Sequence, residues 1–220
     1  ERDWNDGPGN LYSPVTNLVL QGTHELRLTS VVAAPSLPAT NEWVDFFEIR
    51  SNLLSDFHGR EVFLRAGVIF PPGYHDTTER FPAIYQIPGF GGRHTAAWGF
   101  INGRRGRAWK AGEDPVKALQ VILDPSVPLG HSVFANSDNN GPVGDALVKE
   151  FIPALEARYR TISEPWARVV TGHSSGGWSS LWLQIAYPDF FGGCWSTAPD
   201  PVDFRHFQTV NIYEERNGHW

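Results

Sequence analysis

Methionine is absent from this 220-residue chain, and cysteine occurs once. A single thiol, Cys194, excludes an internal disulfide, so the fold must hold by burial and hydrogen bonding. It lies in the apolar run Gly192-Gly193-Cys194-Trp195-Ser196, which suits a buried structural thiol better than a nucleophile. A chain that starts on Glu1 and has no methionine is expected to be a processed or trimmed piece of a longer product. Positive charge is scarce too. The 18 Lys and Arg against 24 Asp and Glu give a net charge of −6, and no electrostatic case for a nucleic-acid partner arises. No apolar run approaches the length that crosses a bilayer, so no membrane partner is expected. Metal-loop spacing is also missing: Asp3, Asn5 and Asp6 lack the frame and closing Glu of a calcium loop and read as a plain turn. What is present, at 41% hydrophobic and 19% charged, is a globular composition with enough chain for one substantial core.

Residues 1–42 are irregular and polar and read as an N-terminal extension. Asn17–Leu20 and Glu25–Val32 carry strand patterns there, and Ala34–Pro38 reads as a linker. From residue 43 to 220 the pattern becomes one of strands alternating with helices. Strands are expected at Val44–Ser51, Glu61–Phe70, Ala83–Ile87, Leu119–Leu123, Arg168–Gly172 and Gly193–Ser196. Helices are expected at Asp145–Tyr159, with Pro153 placed to kink it, and at Gly177–Tyr187. This alternation predicts an α/β fold: a three-layer sandwich whose mainly parallel sheet carries helices on its faces. The β-segments that precede any helix predict an antiparallel start to that sheet.

The sequence Gly172-His173-Ser174-Ser175-Gly176 matches G-x-S-x-G, and its surroundings matter more than its five letters. A β-branched run precedes it and the apolar helical segment Trp178–Tyr187 follows it. Chemistry at a serine needs this context, because a sharp strand-to-helix turn exposes the hydroxyl and sets a helix N-terminus behind it. Ser174 is therefore the candidate nucleophile. Attack on a carbonyl also needs two backbone N–H donors for the tetrahedral oxyanion. Ser175 supplies one by its position after the nucleophile. The other is expected from Phe90 or Gly91, in the glycine-rich loop that ends the strand at Ile87.

Four segments, taken together, carry a resemblance: Val68–Tyr74, Phe81–Gly92, Val133–Pro142 and Thr171–Trp178. In this order they resemble α/β-hydrolases, and in particular the esterase group that includes esterase D and enterochelin esterase-like proteins. The resemblance covers roughly residues 43–205. It implies a serine hydrolase that works through an acyl-enzyme on a small-molecule ester, with no metal and no organic cofactor. It also implies the triad order Ser, then Asp or Glu, then His. Only Ser196–Trp220 remain after the Cys194 strand, so the resemblance further implies that the acid, the histidine and the C-terminal strands of such a fold lie outside this chain.

Candidate partners for Ser174 within the chain are Asp200 and Asp203 as the acid, and His206 or His219 as the base, each weighed against an ordinary turn residue. His173 is expected to point away from the nucleophile. His94 and His131 read as loop residues, with His94 able to touch substrate. Trp98 or Trp109 could line a pocket, and Arg104, Arg105 and Arg107 read first as a solvated loop. The expected function is carboxylic ester hydrolysis. The alternative is a catalytically incomplete binding module or fragment that needs a second segment for its His and acid. An open sheet edge beside Cys194 would then favour a homodimer or association with a C-terminal fragment.

Overall fold

The computed structural model describes residues 10–33, 36, 39–207 and 209–216. Asp3, Asn5, Asp6, His219 and most of the expected linker lie outside them. Near the start, β1 (Leu11–Tyr12) and β2 (Ser30–Val31) pair antiparallel as a ribbon separate from the main sheet. The strand expected at Asn17–Leu20 does not form, and Glu25–Val32 contributes only β2. A strand pattern is stabilised by a neighbour to pair with and a surface to cover, and Val15 and Leu20 are fully exposed instead.

The remaining strands are β3 (Val44–Arg50), β4 (Phe63–Ile69), β5 (Ala83–Ile87), β6 (Leu119–Leu123), the small hairpin β7 (Ser126–Val127) and β8 (Gly130–His131), β9 (Arg168–Ser174) and β10 (Gly193–Pro199). Six of them form one sheet in the order β10-β9-β5-β6-β4-β3. It is mixed. β10, β9, β5 and β6 run parallel, whereas β4 pairs antiparallel with both β6 and β3. The antiparallel start thus comes from β3 and β4, not from the earlier segments.

Alternation along each strand divides the core. Ala83, Tyr85 and Ile87 of β5, Val170 of β9 and Leu119, Val121 and Leu123 of β6 face one cluster. That cluster is completed by α1 (Asn52–His58), by the long helical run before β9 and by α6 (Ser175–Ala186). The second face is covered by α2 (Ala96–Asn102) and α3 (Arg104–Lys110), which bring Ala97, Ile101 and Trp109 onto Val44, Ile69 and Ile122. Among the described residues this second layer stops over β6. Ile84, Gln86, Val169, Thr171, Trp195 and Thr197 line an open cavity of about 620 Å³ beyond it.

The helices missed in sequence are short and held from a distance. Ser51 caps α1 by accepting from the Leu54 N–H at 3.1 Å, and Gly59 closes it in the left-handed region at φ 63. Glu150, far along the chain, accepts from the Asn52 and Leu53 N–H groups at the same end. That end carries the positive pole of the helix dipole. The long run consists of α4 (Val143–Ala146), a π turn over Leu147–Phe151 and α5 (Ile152–Arg158). Ile152 N–H donates to Leu147 O, so the wide turn falls just before Pro153, where a backbone donor is missing. No helix among the described residues is long and apolar enough to cross a membrane.

Arg168 opens β9 and ties the sheet to α5. Its Nε donates to Glu156 Oε1 at 2.6 Å and its Nη2 to Oε2 at 2.9 Å, with both side chains at or below 10% exposure. The guanidinium also lies 4.2 Å from the Phe190 ring centroid. The Glu156 hydrogen bond holds the arginine further toward its charged form. Burial, and then the Glu156 charge, push the neighbouring Tyr85 hydroxyl well above its ordinary pKa. Because removing one partner strands a buried charge, Glu156→Leu is expected to cost about 3–5 kcal/mol in urea unfolding. Glu156→Leu with Arg168→Met should cost much less than the sum of the single changes. Additive losses would show the two side chains to be uncoupled.

Candidate active site

The turn from β9 into α6 is built from backbone contact. Ser174 has φ 60 and ψ −127, a conformation that costs a non-glycine residue roughly 1–3 kcal/mol. A Cβ added at Gly172 would lie 2.1 Å from the Gly176 carbonyl oxygen, one at Gly176 2.1 Å from the Ile87 oxygen, and one at Gly177 2.7 Å from the Thr197 oxygen. The start of α6 therefore folds straight back over β9 and wedges between the ends of β5 and β10. Ser174 is left partly exposed at the tip, while Ser175 is buried in the first turn of the helix. His173 is exposed.

The loop after β5 meets this tip. At Gly89 an added Cβ would lie 3.3 Å from His173 O and 3.7 Å from Ser174 Cβ. Gly92 N–H donates back to Gly89 O at 2.9 Å, and Gly91 between them has φ 77, which explains the glycine there. Ser174, Ser175 and the loop carrying Phe90 and Gly91 are thus brought together. The Phe90 side chain is 62% exposed, and its ring meets the edge of His131 at 5.2 Å.

Of the candidate partners, Asp200 reaches the serine. Ser174 Oγ donates to Asp200 Oδ1 at 3.2 Å, and Asp200 N–H donates to Ser174 O at 3.3 Å. A register shift after Thr197 and a positive φ of 41 at Ala198 bend the end of β10 back over the elbow to place it. Asp203 instead caps a short 3₁₀ turn over Phe204–His206, accepting from Arg205 N–H at 2.9 Å. His206 N–H donates to Asp203 O within the same turn, and the residue is exposed.

Other expectations are corrected. His94 is not a solvent-facing loop residue able to touch substrate: it is 6% exposed, and its Nδ1–H donates to Asp124 Oδ2. Trp98 packs partly buried against the second-face cluster. Trp109 is fully buried and donates from Nε1 to Phe70 O at 2.7 Å, so it packs rather than lines a pocket. The Arg104–Arg107 segment is part of α3, where Arg105 lies 5.1 Å from the Phe100 ring centroid.

Two features of the site lie outside the motif. Asp124, directly after β6, accepts from His94 and, at 2.9 Å, from Ser126 N–H. Burial works against its charge, but the His94 and Ser126 hydrogen bonds and the His94 charge hold its pKa at about 2. His131, in β8, is half-buried, with its Nε2 enclosed and without a hydrogen-bond partner among the described residues. Burial, and then the charge of Arg93, lower its pKa, while Asp124 and Asp200 act in the opposite sense. The sequence signal available for Asp124 was its place at the carboxyl end of a parallel strand, where ligands gather in open α/β sheets.

The family model described as "Putative esterase" matches residues 64–206, more than half of the chain. No curated protein matches the chain. Among solved structures, a ferulic acid esterase is similar with a TM-score of 0.60 at 16% identity, over 77% of this chain and 67% of that one. The fluorophosphonate-binding serine hydrolase F of Staphylococcus aureus gives 0.56 at 13% identity, over 79% and 61%. An S-formylglutathione hydrolase from Agrobacterium tumefaciens gives 0.55 at 20%, over 73% and 59%. The chain therefore spans between 59% and 67% of the length of these proteins. At such identities the likeness shows the α/β-hydrolase fold.

The depressed pKa of Asp124 makes a pH test possible. A carboxylate lowered in the folded state stabilises it above the unfolded pKa near 4 and loses that contribution as pH falls through the folded value of about 2. In urea unfolding, the stability gap between wild type and Asp124→Asn should be largest above pH 4 and shrink by roughly 2 kcal/mol on going to pH 2. A gap that stays constant would mean that Asp124 does not titrate in this window.

Proposed function

Because the chain belongs to the esterase family whose model spans residues 64–206, we propose that it hydrolyses carboxylic esters with Ser174 as the nucleophile. The observation that carries this reading is the strained Ser174 at the strand-to-helix tip, with the Gly89 backbone against it and a helix N-terminus behind it. Ser174 Oγ attacks the ester carbonyl, and its proton passes to a base. The Ser175 N–H and a donor from Phe90 or Gly91 take the charge of the tetrahedral oxyanion. The base returns its proton to the leaving oxygen as the intermediate collapses, which expels the alcohol and leaves an acyl group on Ser174. Water then gives a proton to the same base, attacks the acyl carbonyl and releases the acid, and the proton returns to Ser174 Oγ.

Asp200 holds the hydroxyl by hydrogen bond in the resting state, which argues for a role at the nucleophile. The proton acceptor in this reading is a histidine outside the described residues: His94 is buried and bound to Asp124, and among the described residues no side-chain contact joins the exposed His206 to Ser174 or Asp200. The neighbours' names, a ferulic acid esterase and an S-formylglutathione hydrolase, share no single acyl group, so the reaction assigned is transfer of an acyl group to water without a specified acyl chain.

Fluorophosphonate labelling with peptide mass spectrometry tests the assignment. The probe should modify wild type on the peptide containing Ser174, and Ser174→Ala should abolish the label. In turnover of a p-nitrophenyl ester the same variant should lose at least about 10³-fold in kcat. A folded wild-type protein that takes no label, or a Ser174→Ala variant that keeps it, would overturn the assignment.

A further inference from the structure

We propose that His94 and Asp124 are positioning residues: a buried polar latch that holds the Pro88–Gly92 loop in register with Ser174. The proposal rests on reading that loop as the oxyanion donor of Ser174. β5 and β6 run parallel and adjacent, so the loop after Ile87 and the chain after Leu123 emerge at the same end of the sheet. His94 stands just beyond Gly92 and Asp124 just beyond β6. One carboxylate then gathers three donors from these two connections. Its Oδ2 accepts from His94 Nδ1–H and, at 3.4 Å, from the His94 N–H, and its Oδ1 accepts from Ser126 N–H at 2.9 Å.

The far side of His94 is equally fixed. Its carbonyl accepts from Ala97 N–H at 3.1 Å, in the first turn of α2. It also presses on β4 so closely that an added Cβ at Gly67 would lie 2.5 Å from its oxygen. The glycine-rich segment is thus clamped at both ends, by the ladder of β5 before it and by His94 after it. Between the clamps Gly92 N–H donates to Gly89 O. Glycines surrender much conformational entropy on ordering, so a loop of this composition holds a fixed shape only when its ends are held.

Stability alone does not call for this arrangement. Apolar side chains of similar volume generally serve a buried site as well as, or better than, an ion pair. A donor and acceptor fix direction and distance in a way that apolar packing does not, and oxyanion donors need that: a displacement of about 1 Å can cost about 100-fold in rate. The pair has side-chain exposures of 8% and 3%, so it acts on substrate only through the loop.

The test compares His94→Phe, which fills the volume without the donor, with His94→Asn, whose side-chain N–H can stand where Nδ1–H stood. Amide hydrogen exchange of residues 88–94 and fluorophosphonate inactivation kinetics are measured on each. The latch predicts faster exchange across this segment in His94→Phe, with the β5 and β6 amides unchanged. It predicts an inactivation rate constant lower by about 100-fold at unchanged probe affinity, and recovery of both toward wild type in His94→Asn. Should His94→Phe fail to fold, Asp124→Asn serves in its place, because its one remaining oxygen cannot hold His94 and Ser126 as the carboxylate does. Loop exchange equal to wild type in the donor-less variant would overturn the latch, as would equal losses in the Phe and Asn variants that simply track global stability. A wild-type protein that takes no label would instead sink the reading of Ser174, and the exchange data would still decide the latch.

Discussion

A methyl group at Gly176 would sit 2.1 Å from the carbonyl oxygen of Ile87, and one at Gly172 would sit 2.1 Å from the oxygen of Gly176. Everything about the site depends on this backbone-to-backbone approach. It brings the first turn of α6 down onto the end of β5, so the helix N-terminus and the loop leaving β5 converge on Ser174. It also forces Ser174 into a positive φ, a strain the surrounding contacts must hold. Side chains on two separate elements could drift apart by ångströms. Carbonyl oxygens in a hydrogen-bonded sheet cannot, and the geometry of the tip is inherited from the sheet itself.

Two buried pairs then pin opposite ends of that sheet. Arg168 begins β9 and binds Glu156 of α5 at the amino end of the parallel strands. Asp124 follows β6 and binds His94 at their carboxyl end, where the site lies. Both pairs sacrifice solvation, yet their settings differ. Glu156 and Arg168 join a helix to a strand and share their field with Tyr85 and Phe190, which is a matter of packing the scaffold. His94 and Asp124 join two loops, and loops are where a small change of angle moves a backbone donor.

Local patterns were the legible part of the sequence. Ala83–Ile87 and Leu119–Leu123 form strands with the expected bounds because short apolar runs flanked by turn residues have few other uses. The elbow was readable for the same reason, since its strand, glycines and helix are contiguous. Contacts between distant residues were not. Glu150 capping α1, Trp109 buried under β4, and Asp124 receiving His94 are pairings that no periodicity encodes. The three helices α1, α2 and α3 have seven residues each, too few for a helical stripe to stand out. Conversely, Leu26 and Leu28 alternate as a strand should and still find no ladder, because alternation states what a segment could cover and not whether a partner is there.

The site is therefore held unevenly. Its β5 side is clamped between central strands, whereas Asp200 hangs from β10, which among the described residues lies at the sheet's edge and pairs only with β9. Besides its parallel ladder with β9, β10 is held near the tip by a small set of polar contacts. Thr171 Oγ1 donates to Trp195 O at 2.9 Å and Ser196 Oγ to Gly177 O at 2.8 Å, and the Asp200 N–H returns to Ser174 O. Trp195 beside them is 74% exposed over the open cavity, so apolar burial on that face adds little to hold the strand. Edge strands with few anchors sit at the low-stability end of a fold. The β5 side of the tip is thus the more firmly held, and the Ser174–Asp200 hydrogen bond joins it to the more lightly held end of β10.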